Sequence, residues 1–379
     1  MTDADPLSDD VVVTGFGVHT AFGRGAVSLR DGVFAGVPAF APATRFDPAP
    51  YRTPMTAASA GTPVLREVLA DCAGDALRMA GVEPGTPAAV LLGSAGDWTA
   101  ITGFWRDGTD AGLTGSVPAR MARELADRFG LTGRAVAFSN ACVASASALI
   151  HGWRMVRAGL ADVVLCAGAY LVEEENHAKF DSGRALAKDG AVRPFSADRT
   201  GLLLGDGVAA VVLESAASAR RRGAEVLARY AGWGVASDAH HVAKPHPEGR
   251  GMASAATQAL RRAGVSSVDY VNAHGTGTPF NDSAETNGLR AVFGPGTVAS
   301  STKSTTGHML EASGAVEFVI SLLALRDGVV PPTAGYRRAD PLCDLDYVTE
   351  GPREVPLRRV LTLNAAFGGM NTAMLLERV

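Results

Sequence analysis

The sequence predicts an α/β fold of five layers, α-β-α-β-α, built from two duplicated halves, and three observations carry this prediction. Two long helices have no polar face, one running from Val143 until Gly159 stops it and one from Met309 to Gly328 with few charges beyond Glu311 and Glu317. Short apolar strands bounded by glycine turns recur along the chain. From about Arg229 the succession of buried strand, buried helix and glycine turn begins again, which divides the chain into 11–228 and 229–379. A helix apolar all round needs cover on both sides, so each is placed between two sheets with further helices outside.

In the first half, the acidic residues 1–10 read as disordered, and Val11 to Gly15 form the first buried strand. Gly15-Phe16-Gly17 reads as turn chemistry, because no further glycine and helix follow as they do in a dinucleotide site. Residues 35–62 are an irregular surface excursion rich in Pro, Ala and Gly, before the helix Val64–Ala80 and the strand AAVLLGS. GSAGDWTAITGFWRDG places two tryptophans among glycines in a chain with 6% aromatics, so Trp98 and Trp105 either line a pocket or pack a loop or subunit interface. A helix over Pro118–Phe129 and a buried strand over Ala135–Phe138 lead to the first apolar helix. ADVVLCAGA is the next strand, and Arg193–Glu214 is a glycine-bearing loop followed by a buried strand and the basic helix Ala216–Arg222.

The second half holds the strand YAGWGVAS, a His-rich loop, the helix Gly251–Ala263, a strand running to His274 and a strand VASSTKSTTGH ending in His308. After the second apolar helix, DYVTE and RRVLTLNAAFGGMNTAMLLE supply the last strands.

Composition narrows the function. A chain of 379 residues, 47% hydrophobic with a formal net charge of −4, has a substantial core and no basic block for nucleic acid or an anionic membrane. No apolar run reaches transmembrane length and the N-terminus is unlike a signal peptide, so the cytoplasm is expected. The four cysteines, Cys72, Cys142, Cys166 and Cys343, show neither a disulfide framework nor zinc spacing. His240, His241 and His246 lack a partner carboxylate or thiolate motif and read as a loop near an entrance. His151 reads as a buried core histidine, and His19 and His177 support no argument.

Cys142 stands at the junction between the strand Ala135–Phe138 and the apolar helix. At the first turn of a helix, unpaired N–H groups and the dipole favour the thiolate, the reactive form. An unpaired cysteine alone is more often a small core residue. His274 and His308, at matching strand ends, shift the reading towards a nucleophile.

Four motifs follow one another in order: NACVASASA with Cys142, DYVNAHGTGTPFND with His274, STKSTTGHMLEASGAVE with Lys303, His308 and Glu317, and NAAFGGMNTA near the C-terminus. Together they resemble the β-ketoacyl-acyl carrier protein synthases, or ketosynthases, of the thiolase superfamily, over residues 11–377. The resemblance implies a thiolase-like five-layered fold and a discrete type II ketosynthase. It implies that Cys142 takes an acyl chain from a carrier protein, with the backbone N–H groups of Cys142 and Phe367 as oxyanion hole. Malonyl thioester then loses carbon dioxide, and His274 and His308 donate to the enolate oxygen. No general base is needed, since decarboxylation makes the carbon nucleophile.

Lys303 is implied to bias the electrostatics near His308, and Glu317 to be paired on its buried helix. Thr276, Thr278, Phe367, Gly368 and Gly369 are the implied substrate-binding positions. Neither metal nor cofactor is implied, because the substrates ride on the phosphopantetheine of acyl carrier protein. The partners implied are that carrier and a second subunit, giving a homodimer or a heterodimer with a chain-length-factor homologue.

Asn140 stands where related enzymes more often have Thr or Ser, and Ala366 replaces a glycine, which puts the mobility of the Phe367 turn in doubt. These departures favour type II polyketide or polyene assembly over fatty-acid synthesis. A non-decarboxylating thiolase-type acyltransferase is the weaker alternative, since no cysteine follows Cys343. A chain-length-factor-like subunit is weaker too, since Cys142, His274 and His308 are all present.

Overall fold

The computed structural model describes residues 10–110 and 112–379, so the disorder expected over residues 1–10 falls almost wholly outside it. β1 spans Val11–Thr20 and runs straight through the glycines expected to turn. A Cβ on Gly15 would sit 2.2 Å from the Ala76 carbonyl oxygen, and one on Gly17 would sit 2.1 Å from that of Cys72. Both carbonyls belong to α1 (Leu65–Ala80), so these glycines admit a helix onto the strand.

β2 (Ala89–Gly93), β3 (Ala135–Phe138), β4 (Val163–Tyr170) and β5 (Gly207–Ser215) join β1 in the order β3-β2-β4-β5-β1. The second half supplies β6 (Ala228–Ser237), β7 (Tyr270–Asn272), β8 (Val298–Ser300), β9 (Asp346–Tyr347), β10 (Arg359–Ala365) and β11 (Met370–Glu377), in the order β9-β8-β7-β10-β11-β6. Leaving aside the edge strand β9, both orders are third, second, fourth, fifth, first. The second strand of each half pairs in parallel with both neighbours, β8 also pairs in parallel with the edge strand β9, and the remaining pairs along the two half-sheets are antiparallel. This identity of topology is the duplication. The two half-sheets pair through β1 and β6 at Val12↔Arg229 and Val13↔Ala228, which fuses the two expected sheets into one of twelve strands.

The other helices are α2 (Trp98–Asp107), α3 (Pro118–Arg128), α4 (Ala144–Arg157), α5 (Glu174–Ser182), α6 (Arg250–Ala263), α7 (Pro279–Phe293) and α8 (Ser313–Asp327). α4 and α8 pack on each other and on strands of both half-sheets, α1 and α3 cover the first half-sheet, and α6 backed by α7 covers the second. These are the five layers. Every residue of α8 from Ser313 to Leu325 is buried. α4 is less complete, since Arg154 is exposed and Ser147 and His151 are half-buried. β3 is correspondingly an open sheet edge with Val136 36% exposed, where a buried strand was expected. His151 therefore lies at this edge, its ring 5.6 Å from that of Phe138, and not in the core.

Three helices, α2, α5 and α7, went unread in the sequence. α2 begins where Asp97 accepts a hydrogen bond from the Thr99 N–H at 3.2 Å and ends at Gly108 in the left-handed region. α7 starts with Pro279 in its first turn. The strand expected to reach His308 also stops early, at Ser300, and Lys303–Thr306 form a helical turn. Its hydroxyl-rich residues bond back to the chain: Ser304 donates to the Ser301 carbonyl and Thr305 to that of Thr302, both at 2.8 Å.

Candidate active site

The chain enters α4 through a tight turn, Ala141–Val143, in which Ala141 has φ +54° and Cys142 is 7% exposed. Cys142 Sγ lies 3.2 Å from His308 Nε2. The other ring nitrogen of His308, Nδ1, lies 3.0 Å from the Ser313 hydroxyl at the start of α8. The His308 backbone is pinned as firmly: its N–H donates to the Leu203 carbonyl at 2.7 Å and its carbonyl accepts from the Gly205 N–H at 3.1 Å. The His274 ring stands edge-on to His308 with centroids 5.4 Å apart, and its Nδ1 has no hydrogen-bond partner.

These side chains meet in a cavity of about 410 Å³ lined by Cys142, His274, His308, Thr276, Thr278 and Phe367. Thr276 and Thr278 hydroxyls are 2.9 Å apart on its wall. Gly369 also lines it, in the turn between β10 and β11, and Phe367 stacks on Phe180 with centroids 5.9 Å apart. Gly368 and Gly369 have φ +88° and +79°, and the Gly368 N–H donates to the Val242 carbonyl at 2.7 Å. That bond ties the turn to the His-rich loop, which lies at the mouth as expected, with Asp238 and Lys244 on the rim. His240 and His246 rest ring against ring there, 5.1 Å apart. Among the described residues no three His, Cys, Asp or Glu side chains are arranged to hold a metal.

Behind the cavity Lys303, 1% exposed, forms an ion pair with Glu317, whose other oxygen accepts from Asn364 Nδ2 at 2.6 Å. Burial raises the Glu317 carboxyl, and Lys303 pulls it back. Burial, then the Lys303 charge, holds His274 and His308 well below the usual imidazole range, so both rings are neutral at pH 7. Burial, with the Glu311 charge second, pushes the Cys142 thiol up to about 12. The thiolate expected from the helix end is thus disfavoured.

The match to protein families decides the identity. The Beta-ketoacyl synthase N-terminal domain family matches residues 63–219 and the C-terminal domain family matches residues 227–337. The chain belongs to the β-ketoacyl synthases. It is 34% identical to the tetracenomycin polyketide synthase ketoacyl synthase alpha subunit of Streptomyces glaucescens, over 97% of both chains. Its structure matches a chain of the ishigamide ketosynthase/chain length factor with a TM-score of 0.90, at 30% identity, covering 98% of this chain and 99% of that one. It matches with the same TM-score of 0.90, at 26% identity and coverage of 98% and 99%, a chain of AntDE:AntF, a type II acyl-carrier protein in complex with its ketosynthase bound to the hexaketide.

In this ketosynthase several site residues had escaped the sequence reading. Glu285, fully buried on α7, accepts from the His274 N–H at 2.6 Å and the Gly275 N–H at 2.7 Å, one bond on each oxygen. Asp282 accepts from the Phe195 N–H at 2.8 Å and the Gly277 N–H at 3.2 Å. These two carboxylates hold the loop that carries His274, Thr276 and Thr278. Their signal was present: acids three residues apart in the helix that follows a glycine-rich loop share one face.

The departures also find their places. Asn140 donates to the Ser147 hydroxyl at 2.8 Å and to Met370 Sδ at 3.2 Å, joining the nucleophile turn to β11. Ala366 is not among the residues of positive φ and donates its N–H to the Met370 carbonyl at 2.9 Å, so its Cβ strains nothing.

Proposed function

We propose that this ketosynthase joins an acyl chain held on Cys142 to malonyl-acyl carrier protein by decarboxylative Claisen condensation, releasing carbon dioxide and β-ketoacyl-acyl carrier protein. The observation that carries this is the 3.2 Å contact between Cys142 Sγ and His308 Nε2 in a buried pocket shared with His274. Cys142 attacks the thioester as its proton passes to Nε2, and the proton leaves on the phosphopantetheine thiolate. The backbone N–H groups of Cys142 and Phe367 take the oxyanion.

The second half-reaction needs His308 as a donor. The Ser313 hydroxyl can accept from Nδ1 or donate to it, so either neutral tautomer is satisfied, and donation to Nδ1 leaves Nε2–H free for the enolate. His274 supplies the second donor as carbon dioxide leaves. The enolate carbon attacks the acyl-cysteine, the tetrahedral intermediate expels the Cys142 thiolate, and the thiolate takes one proton from solvent, the proton the net decarboxylative condensation consumes. The chemistry is neither redox nor metal-assisted, so the phosphopantetheine of the carrier is the one prosthetic group involved.

The open edge at β3 and the half-buried side of α4 support a two-subunit enzyme, either a homodimer or a heterodimer with a chain-length-factor homologue. Among the described residues no helix is long and apolar enough to cross a membrane. The test is intact-mass measurement after exposure to acyl carriers. Acyl groups should map to Cys142, and Cys142→Ala should fold but carry none; an acyl group on Cys72, Cys166 or Cys343 instead refutes the assignment.

A further inference from the structure

Ala141, the residue before the nucleophile, has φ +54°, in the left-handed region that a residue with a Cβ disfavours. A turn held in that conformation needs support from outside itself. Asn140 is placed to give it. An asparagine at the start of a helical turn ordinarily caps that turn, yet its side chain makes no capping bond here. The amide is used sideways instead: Nδ2 donates to the Ser147 hydroxyl on α4 at 2.8 Å and to Met370 Sδ on β11 at 3.2 Å. A thioether accepts and does not donate, so the contact with Met370 fixes which end of the amide faces it. Oδ1 is left buried without a partner. The Ser147 bond spans the Cys142 turn from one side to the other, and the Met370 bond ties that turn to the second half of the chain.

Met370 is the first residue of β11 and closes the turn that carries Phe367. Its carbonyl accepts from the Ala366 N–H at 2.9 Å. Within the turn the Gly368 N–H donates to the Val242 carbonyl at 2.7 Å and the Gly369 N–H to the Ala366 carbonyl at 3.0 Å. The Phe367 N–H between them meets no acceptor among the described residues, and Phe367 lines the cavity with Cys142. A donor kept free beside a nucleophile is what an oxyanion hole requires. The other donor, the Cys142 N–H, lies two residues after Asn140. One amide thus bridges the two loops from which both donors come.

Resting on the ketosynthase reading above, we propose that Asn140 is a positioning residue of the oxyanion hole: its amide, through Met370, sets the spacing between the Cys142 N–H and the Phe367 N–H. A serine or threonine in its place has one hydroxyl hydrogen and cannot donate both bonds. The bridge matters when negative charge forms on the thioester oxygen. It is idle when the thiol reacts without forming an oxyanion.

The experiment compares two reactions of Cys142 in the full-length enzyme, both read by intact mass and assigned by peptide mapping. Acylation from acetyl and octanoyl carrier thioesters passes through an oxyanion, and alkylation by iodoacetamide does not. Asn140→Thr leaves one donor, and Met370→Leu keeps an apolar side chain without the sulfur. In each, the limiting rate of acylation should fall about tenfold, less than the loss of about 10²–10³ on removing a donor, with the half-saturating carrier concentration unchanged. Alkylation should stay within about twofold of native, because no oxyanion is formed. The double variant should be no slower than the slower single one, since both break the same bridge. Equal falls in acylation and alkylation, acylation at the native rate in either folded variant, or multiplied losses in the double variant overturn the proposal while leaving the condensation chemistry intact. Met370→Leu decides the matter should Asn140→Thr not fold. Failure of every thioester to load Cys142 of the native enzyme refutes the ketosynthase reading itself.

Discussion

Replacing His308 by alanine separates proton transfer from enolate stabilisation, and the structure sets the size of each effect. With the thiol pushed up to about 12 by burial, only a minute fraction of Cys142 is ionised at pH 7. Without the acceptor at 3.2 Å, acylation of His308→Ala has to proceed through that fraction. A positioned proton acceptor contributes about 10²–10⁴ in rate, so a loss of that size is expected in the acylation half-reaction. The pH profile tests the cause. In His308→Ala the acylation rate should rise tenfold per pH unit across the neutral and mildly alkaline range, following the thiolate. In the native enzyme it should be flat there, because His308, held well below 6.5, is already neutral.

His274→Ala should behave differently. Among the described residues the hydrogen-bond partner of the thiol is His308, so His274→Ala should still be acylated. It should lose malonyl decarboxylation by about 10²–10³, the usual effect of removing one preorganised donor from a developing oxyanion. Rapid-quench intact-mass kinetics reads acylation, and carbon dioxide release from malonyl carrier reads decarboxylation. A His308→Ala enzyme acylated at the native rate refutes the reasoning. So does a His274→Ala enzyme that cannot be acylated, which would make His274 the base.

Three further outcomes follow from the packing. Lys303→Met leaves Glu317 as an uncompensated buried carboxylate and should cost about 3–5 kcal/mol in denaturant unfolding, with partial recovery when Glu317→Gln is added; an unchanged midpoint refutes the pairing. Glu285→Gln replaces one acceptor by an N–H₂ group facing a backbone N–H, so it should lose about 1–3 kcal/mol of stability and loosen the His274 loop, read by unfolding and by hydrogen exchange at Gly275. Val136→Lys on the open edge of β3 should shift the enzyme towards monomer in analytical ultracentrifugation, and a native enzyme that is fully active as a monomer removes the edge from the interface.

The layered fold was legible because α8 and most of α4 are apolar on every side, a pattern that few architectures accommodate. The approach of His274 and His308 to Cys142 was legible only through the four motifs, since the three residues come from two halves of the chain. What escaped depended on partners distant in sequence. Gly15 and Gly17 read as a turn because nothing local announces that the backbone of α1 lies within van der Waals contact of them. Val136 read as buried because an edge strand can have the composition of an interior one. Glu285 looked like an ordinary helix charge, and its function is defined by two N–H groups of the His274 loop.

The thiol shows how magnitude decides between two correct principles. A helix end offers a charge about 0.3–1 kcal/mol, up to about 2 in partly buried sites, which is of the order of one pKa unit. Full burial shifts a titrating group by as much as about 3–5 units in the opposite sense, and Cys142, in a single tight turn ahead of α4, is deep enough for burial to win. The same burial keeps His274 and His308 neutral and strengthens any hydrogen bond they make to a forming oxyanion. A low-dielectric pocket cannot store a thiolate in advance, so ionisation of Cys142 has to accompany its attack, with His308 in position to take the proton. On the proposed mechanism, catalysis rests on the hydrogen-bonded series Cys142–His308–Ser313 being intact at the moment of acyl transfer, and its loss is expected first as a change in the slope of rate against pH.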